Sequence, residues 1–198
     1  MSFIDRFRAA IKGGGGVRVP LARGFTSSFA MGFEGRSARP GFEFSRSVRQ
    51  AFLENPVAQR AVRIIAEGIG NAPLAETDPH LLKLVRATSA GQSLLETLGA
   101  QLLLHGNGYV QVARDAKGAP IELFALRPER VSVMPGADGW PEHFRYKVGE
   151  TIIDLPVIDE DGWPNIIHLK AYHPADDHYG AGCLAAAEQS VAIHNAAA

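Results

Sequence analysis

Two parts of the sequence hold side chains of the kind that do chemistry: the segment His168–His178 and three clusters of glycine. His168, His173, Asp176, Asp177 and His178 are ligand types for zinc or another divalent cation. Their spacing argues against a ready site. His168 falls in a strand pattern, and His173, five residues on, takes the opposite face if the strand continues. Asp176, Asp177 and His178 read as an exposed polar loop, with Asp supplying helix-entry chemistry. Cys183 is the only cysteine, which excludes an intrachain disulfide and a Cys-based zinc site. With His178 and His194 it makes the one thiol–imidazole pairing on offer. At the head of an alanine-rich helix it reads as a small buried residue. There is no Gly-x-Ser-x-Gly elbow and no His-Glu-x-x-His.

The glycines divide by what flanks them. Gly13–Gly16 follows a helical pattern and lacks a Gly-Lys-Ser/Thr ending. Gly106-Asn107-Gly108 stands between a helix and a strand, the reverse of the order that aims backbone N–H groups at a phosphate. It reads as a helix stop, with Gly106 at positive φ. Gly180-Ala181-Gly182 precedes a helix and could receive an anion, but no lysine accompanies it. No constellation demands catalysis, so no catalytic, cofactor-binding or metal-binding residue is assigned.

The elements that position these residues read as α+β. Asn55-Pro56 is a cap followed by proline at the first helical position. Ala58, Val62, Ile65 and Ile69 share a face, with Ala61 and Ile64 beside them, and Gly70-Asn71 and Pro73 end the helix. Asp78-Pro79 opens a short helix with Leu81, Leu82 and Val85. Ser93 and Glu96 form a capping box for a helix whose stripe is Leu95, Leu98 and Leu102. The period then falls to two. Strands are expected at Tyr109–Arg114, Ile121–Leu126, Val131–Met134, His143–Val148, Thr151–Leu155 and Ile166–Tyr172. From Cys183 the pattern is helical again, with Leu184, Ala187, Val191 and Ala198 on one face. Its end at Asn195–Ala198 has no glycine, proline or basic last turn and reads as cut.

Residues 1–50 differ from the rest. They hold nine Lys/Arg against Asp5, Glu34 and Glu43, whereas the remaining 148 residues hold eleven basic and eighteen acidic groups. Phe3, Phe7 and Ile11 make a short amphipathic helix, and Gly13–Gly16 is a hinge. This is expected to be a flexible basic arm. No stretch is apolar for the roughly 18 residues of a membrane span, and no secretory signal opens the chain.

Three segments in order carry a resemblance. LENPVAQRAVRIIAEGIGNAPL (53–74), LLLHGNGYVQVARDAKGAPIELFALRPERVSV (102–133) and IIHLKAYHPADDHYGAGCLAAA (166–187) are similar to the portal proteins of tailed double-stranded DNA phages. The matching features are the Asn-Pro-Val helix, the Leu-x-Gly-Asn-(Ala/Gly)-Tyr strand start, and the Asp-x-x-Tyr-Gly loop entering an Ala-rich helix. The motif residues are Asn55, Pro56, Gly106, Asn107, Gly108, Tyr109, His168, Tyr179 and Gly180. The family's small residue and Pro-Leu after Tyr-Gly appear here as Ala181-Gly182-Cys183-Leu184. Val157–Asn165 resembles a variable acidic loop.

The resemblance implies a structural protein without cofactor and not an enzyme. Residues 51–198 would be a wing-like domain whose last helix leads toward a stem, with stem, clip and crown missing. It implies a ring of like subunits, usually twelve, at a capsid vertex of a phage, prophage or gene-transfer-agent particle, assembled in the bacterial cytoplasm. Expected partners are the major capsid protein, the terminase large subunit, a head–tail adaptor and double-stranded DNA passing through the channel, and no membrane. Two other readings stand beside it: a phage remnant acting as a protein-binding adaptor without a ring, and a metal enzyme at residues 168–178.

Overall fold

The computed structural model describes Val48 and residues 52–75, 78–89 and 91–197; the amphipathic segment at residues 2–12 and the basic arm lie outside them. Asn55 starts α1 (Pro56–Gly70). Its backbone is extended and its Oδ1 accepts from the Ala58 N–H at 2.8 Å, while Pro56 has no N–H to leave unpaired. Asp78 caps α2 (Pro79–Arg86) in the same way, accepting from the His80 N–H at 2.9 Å. A two-residue ladder of β1 (Thr88–Ser89) and β2 (Gln92–Ser93) follows. Then comes α3 (Leu94–His105), capped by the Ser93 hydroxyl and closed by Gly106 at φ 76°.

Two antiparallel sheets complete the body. β3 (Asn107–Arg114) is the centre of the first, between β4 (Pro120–Leu126) and β8 (Ile166–Lys170). The second is a meander of β5 (Val131–Pro135), β6 (Pro141–Val148) and β7 (Thr151–Pro156). A 3-10 turn at Pro128–Arg130 joins them, and α4 (Cys183–Ala197) ends the described chain. The architecture is α+β, and each expected strand is present. β8 stops at Lys170, short of Tyr172, because its partner β3 begins only at Asn107; one further bond, from the Ala171 N–H to the Gly106 carbonyl (2.8 Å), ends the pairing.

Alternation decides which face each strand buries. Tyr109, Leu126, Val131, Val133, Phe144 and Ile166 pack between the two sheets. The other face of the first sheet puts Val110, Leu123 and Ala125 against Leu94 and Leu98 of α3. Gly99, on the far side of α3, faces Ala66 of α1. The layers therefore run α1, α3, first sheet, second sheet.

The buried face of α1 differs from the expected one. Ala58, Val62 and Ala66 are buried, while Ile64, Ile65 and Ile69 stand exposed. Close approach is the reason. A Cβ at Gly99 would lie 3.4 Å from the Ala66 Cα, and one at Gly70 would lie 3.1 Å from the Glu96 Cβ. Helices that meet through alanine and glycine come close, and the one isoleucine that reaches the seam is Ile69, whose Cδ1 would lie 3.0 Å from that Gly99 Cβ although the residue is 41% exposed. The stripe of α3 turns likewise: Leu94, Leu98 and Gly99 are buried and Leu95 and Leu102 only partly. In α2 the buried residue is Leu84, with Leu81, Leu82 and Val85 half-buried.

The seam predicts a contrast in urea unfolding. Ala66→Leu overpacks it and destabilises by about 1–3 kcal/mol. Ile64→Ala, on the solvent side, stays within about 0.5 kcal/mol.

Candidate functional site

The motif residues of the second and third segments converge at the junction of α3 and β3. Gly106 ends α3 in the left-handed conformation, donating its N–H to the Leu102 carbonyl at 2.9 Å. The chain then reverses into β3 with Asn107, which is 1% exposed. Burying an amide is unfavourable unless it is satisfied. Here the Asn107 Oδ1 accepts from the Gly180 N–H (2.8 Å) and from His168 Nε2 (3.0 Å). The two Nδ2 hydrogens serve the His105 carbonyl (3.1 Å), His105 Nδ1 (3.1 Å) and the Gly180 carbonyl (3.2 Å). Gly180 bonds fix which end of the amide is oxygen, so His168 carries its proton on Nε2 and His105 leaves Nδ1 bare.

The backbones touch at this point. A Cβ on Gly180 would lie 2.0 Å from the Gly106 carbonyl oxygen, and one on Gly106 would lie 2.4 Å from the Ala181 carbonyl carbon. A Cβ on Gly182 would reach 2.6 Å from the Leu104 carbonyl oxygen. Gly182 sits in the segment that departs from the family's pattern, and its missing side chain is used. Gly108 is tight as well, with Leu98 at 3.1 Å from its would-be Cβ.

Aromatic rings close the inner side. Tyr109, fully buried, stacks on His168 with centroids 4.3 Å apart and meets Phe144 edge-on at 6.0 Å. Burial pushes the Tyr109 phenol well above its ordinary pKa. The Tyr179 hydroxyl accepts the Val133 N–H at 2.9 Å, which pins the 171–182 loop to the second sheet. Asp176 shapes that loop, its Oδ1 accepting from the N–H groups of His178 (2.7 Å) and Tyr179 (2.9 Å).

The polar residues of 168–178 are thus spent on separate tasks. His168 faces inward onto Tyr109, the His173 Nδ1 accepts from the Ala175 N–H, and the Asp177 carbonyl accepts from Lys170 Nζ. Among the described residues no group of three His, Cys, Asp or Glu side chains converges on a metal position. His178 is half-buried, with its Nδ1 enclosed and unpartnered, instead of exposed: the Asp176 turn folds it inward. Cys183 is exposed, not buried, at the rim of the contact between the start of α4 and the end of α3, where its thiol donates to the Leu103 carbonyl at 3.3 Å.

Asn55 and Pro56 lie elsewhere, at the start of α1 against the end of α4. Besides capping α1, Asn55 donates from Nδ2 to the Asn195 Oδ1 (2.8 Å) and meets His194 Nδ1 (3.1 Å). Sequence reasoning missed this tie from α1 to α4, and its only signal was polar residues in an otherwise apolar helix. It also missed Arg114, whose guanidinium lies 5.0 Å over the Trp163 ring and donates to the Gly118 and Pro164 carbonyls, each at 3.2 Å. The 157–165 loop is closed by an Ile158–Pro164 bridge and an Asp159–Trp163 turn.

A model of the phage portal protein family matches residues 56–198. An uncharacterized protein of Rickettsia felis (strain ATCC VR-1525 / URRWXCal2) is 30% identical over 159 residues, covering 73% of this chain and 40% of that protein. One of Rickettsia bellii (strain RML369-C) is 26% identical over 157 residues, with the same coverage of 73% and 40%. Among solved structures, a chain in the neck of a native gene transfer agent (GTA) particle computed with C12 symmetry superposes with a TM-score of 0.71. It is 38% identical, covering 79% of this chain and 43% of that one. A chain of the virion of the native GTA particle gives a TM-score of 0.72 at 37% identity, covering 85% and 47%. The chain thus spans less than half the length of each of these proteins.

Two predictions concern the junction. Gly180→Ala drives a methyl into the Gly106 carbonyl and costs on the order of 3–5 kcal/mol, whereas His178→Ala removes an unpartnered nitrogen and costs less than about 1 kcal/mol; chemical denaturation separates them. The second is a pH dependence. Burial lowers both His105 and His168 to about 4, with Lys170, His105 and His178 adding to the effect on His168. Unfolded histidine titrates near 6.5, so between about 6.5 and 4 the unfolded chain binds more protons. The histidine contribution is complete above 6.5 and is lost as pH falls through that window, at up to about 1.4 kcal/mol per pH unit for each ring. His168→Gln, which keeps a donor for Asn107, shows a shallower slope in urea midpoints measured from pH 7 to pH 4.5.

Proposed function

Because the chain belongs to the phage portal protein family, we propose that residues 51–198 are the wing-like outer domain of a structural ring subunit at the vertex of a phage-like particle. The observation that carries this reading is the family match along residues 56–198, joined to 38% identity with a chain in a GTA particle neck. The junction agrees with a structural role. Asn107, His105, His168 and the Gly180 backbone are bonded to one another, and with Tyr179 they hold the 171–182 loop against both sheets. Such a node keeps register between α3, β3 and the loop.

The finer reading follows from the family. The ring nucleates head assembly, passes double-stranded DNA during packaging and ejection, and joins head to tail. Its partners are other copies of the chain, the major capsid protein, the terminase large subunit and a head–tail adaptor, within the virion after assembly in the host cytoplasm. The stem, clip and crown belong to the length of the relatives that this chain does not span. The body after residue 50 is acidic and repels the phosphate backbone, so duplex binding falls to the basic arm and is salt-sensitive.

Assembly tests the proposal. The 198-residue chain is expected to sediment as a monomer or a weak associate. Joined to the stem, clip and crown of a GTA-type relative, it forms rings visible by negative-stain microscopy. A joined, folded chain that stays monomeric at packaging-like salt and concentration overturns the ring reading and leaves the protein-binding adaptor.

A further inference from the structure

The exposed apolar side chains of the body include two patches on the outermost layers of the stack. On α1, Val57, Ile64 and Ile65 are 64%, 54% and 49% exposed, with Leu53 just ahead of the helix at 64%. Val57, Ala61, Ile64 and Gly68 recur at helical spacing as one stripe, bordered by Ile65 and turned away from the Ala58–Val62–Ala66 seam. On the second sheet, the β6–β7 hairpin carries its inner face beyond the core. Phe144 is 3% exposed, yet Val148 and Ile153 on the same face are 42% and 47% exposed, and Ile152 behind them is 53%. β7 pairs only with β6 among the described strands, so its outer edge keeps free backbone groups.

A closed ring of more than two copies joins unlike surfaces, since a patch that meets itself makes only a dimer. A chain 38% identical to this one sits in a neck computed with C12 symmetry. Two separate patches, one on each outer layer, are what such a contact requires. We propose that the α1 stripe of one copy docks the β6–β7 hairpin of the next. This rests on the ring reading above and names its surface. Leu53, Val57, Ile64 and Ile65 together expose on the order of 400 Å², about half of one partner's share of a standard interface. The contact is therefore one component of the ring and weak alone.

The ring-forming chain described above provides the test, with Cys183→Ser removing the native thiol. Ile64→Cys together with Ile153→Cys should give, on mild oxidation, a ladder of cross-linked species reaching ring size on non-reducing gels, while each single variant gives monomers. Separately, Ile64→Glu and Ile153→Glu should each cut the ring fraction at least tenfold with an unchanged melting profile. Mixed one to one, they should form dimers that do not extend, because each supplies the patch the other has lost. Undiminished rings from either variant overturn the proposal, as do dimers from a single cysteine, which mean like-to-like contact. So does a bridge within one chain between Ile64→Cys and Phe7→Cys, which assigns the stripe to the chain's own amphipathic N-terminal segment. Absence of rings from the parent chain removes the ring reading itself, which separates the two failures.

Discussion

The distance at which two glycine backbones meet sets the rest of this structure. Gly106 and Gly180 approach so closely that neither has room for a Cβ, and the Asn107 amide, locked between their two segments, satisfies the polar groups this contact buries. From it follow the direction in which β3 leaves α3, the place where β8 ends, and the path of the 171–182 loop toward α4. Packing alone does not specify such a point, since apolar side chains tolerate small shifts. Hydrogen bonds in a dry interior do not, because an unmade one costs on the order of 1–3 kcal/mol. The junction therefore fixes register, and the leucines and valines around it supply most of the burial.

Local chemistry was readable in the sequence and distance was not. Asn55-Pro56, Ser93-x-x-Glu96 and Gly106 carry their own stereochemical reasons, and the helix boundaries they imply are those observed. Alternation located the strands. The miniature β1–β2 ladder escaped because two residues have no period. The face of α1 was misjudged because the helical period orders residues around the axis but does not say how near the neighbouring helix lies. The contacts of Gly99 with Ala66 and Ile69, and of Gly70 with Glu96, decide that. Asn107 was readable as part of a turn, but its partners His168 and Gly180 lie 61 and 73 positions away. Cys183 and His178 depart from expectation for the same reason: exposure depends on which way a loop folds back.

The histidines add a chemical condition to this geometry. Neutral His105 accepts from Asn107, and neutral His168 donates to it while stacking on Tyr109. A proton on His105 Nδ1 would set donor against donor, and a charge on His168 would sit under an aromatic face within a buried cluster. The node is thus built for the protonation states that hold above the histidine range.

The tie from Asn55 to Asn195 brings together residues 140 positions apart, so the start of the first large helix and the end of the last share one corner. Mechanically, the body hangs from that corner like a leaf from its stalk. A pull along α4 reaches the first turn of α1 through Asn55 at one end of the helix, and the Asn107 junction through the 171–182 loop at the other. The last helix is therefore anchored at both ends, to the α1 cap by its final turn and to the glycine contact by the loop that precedes it.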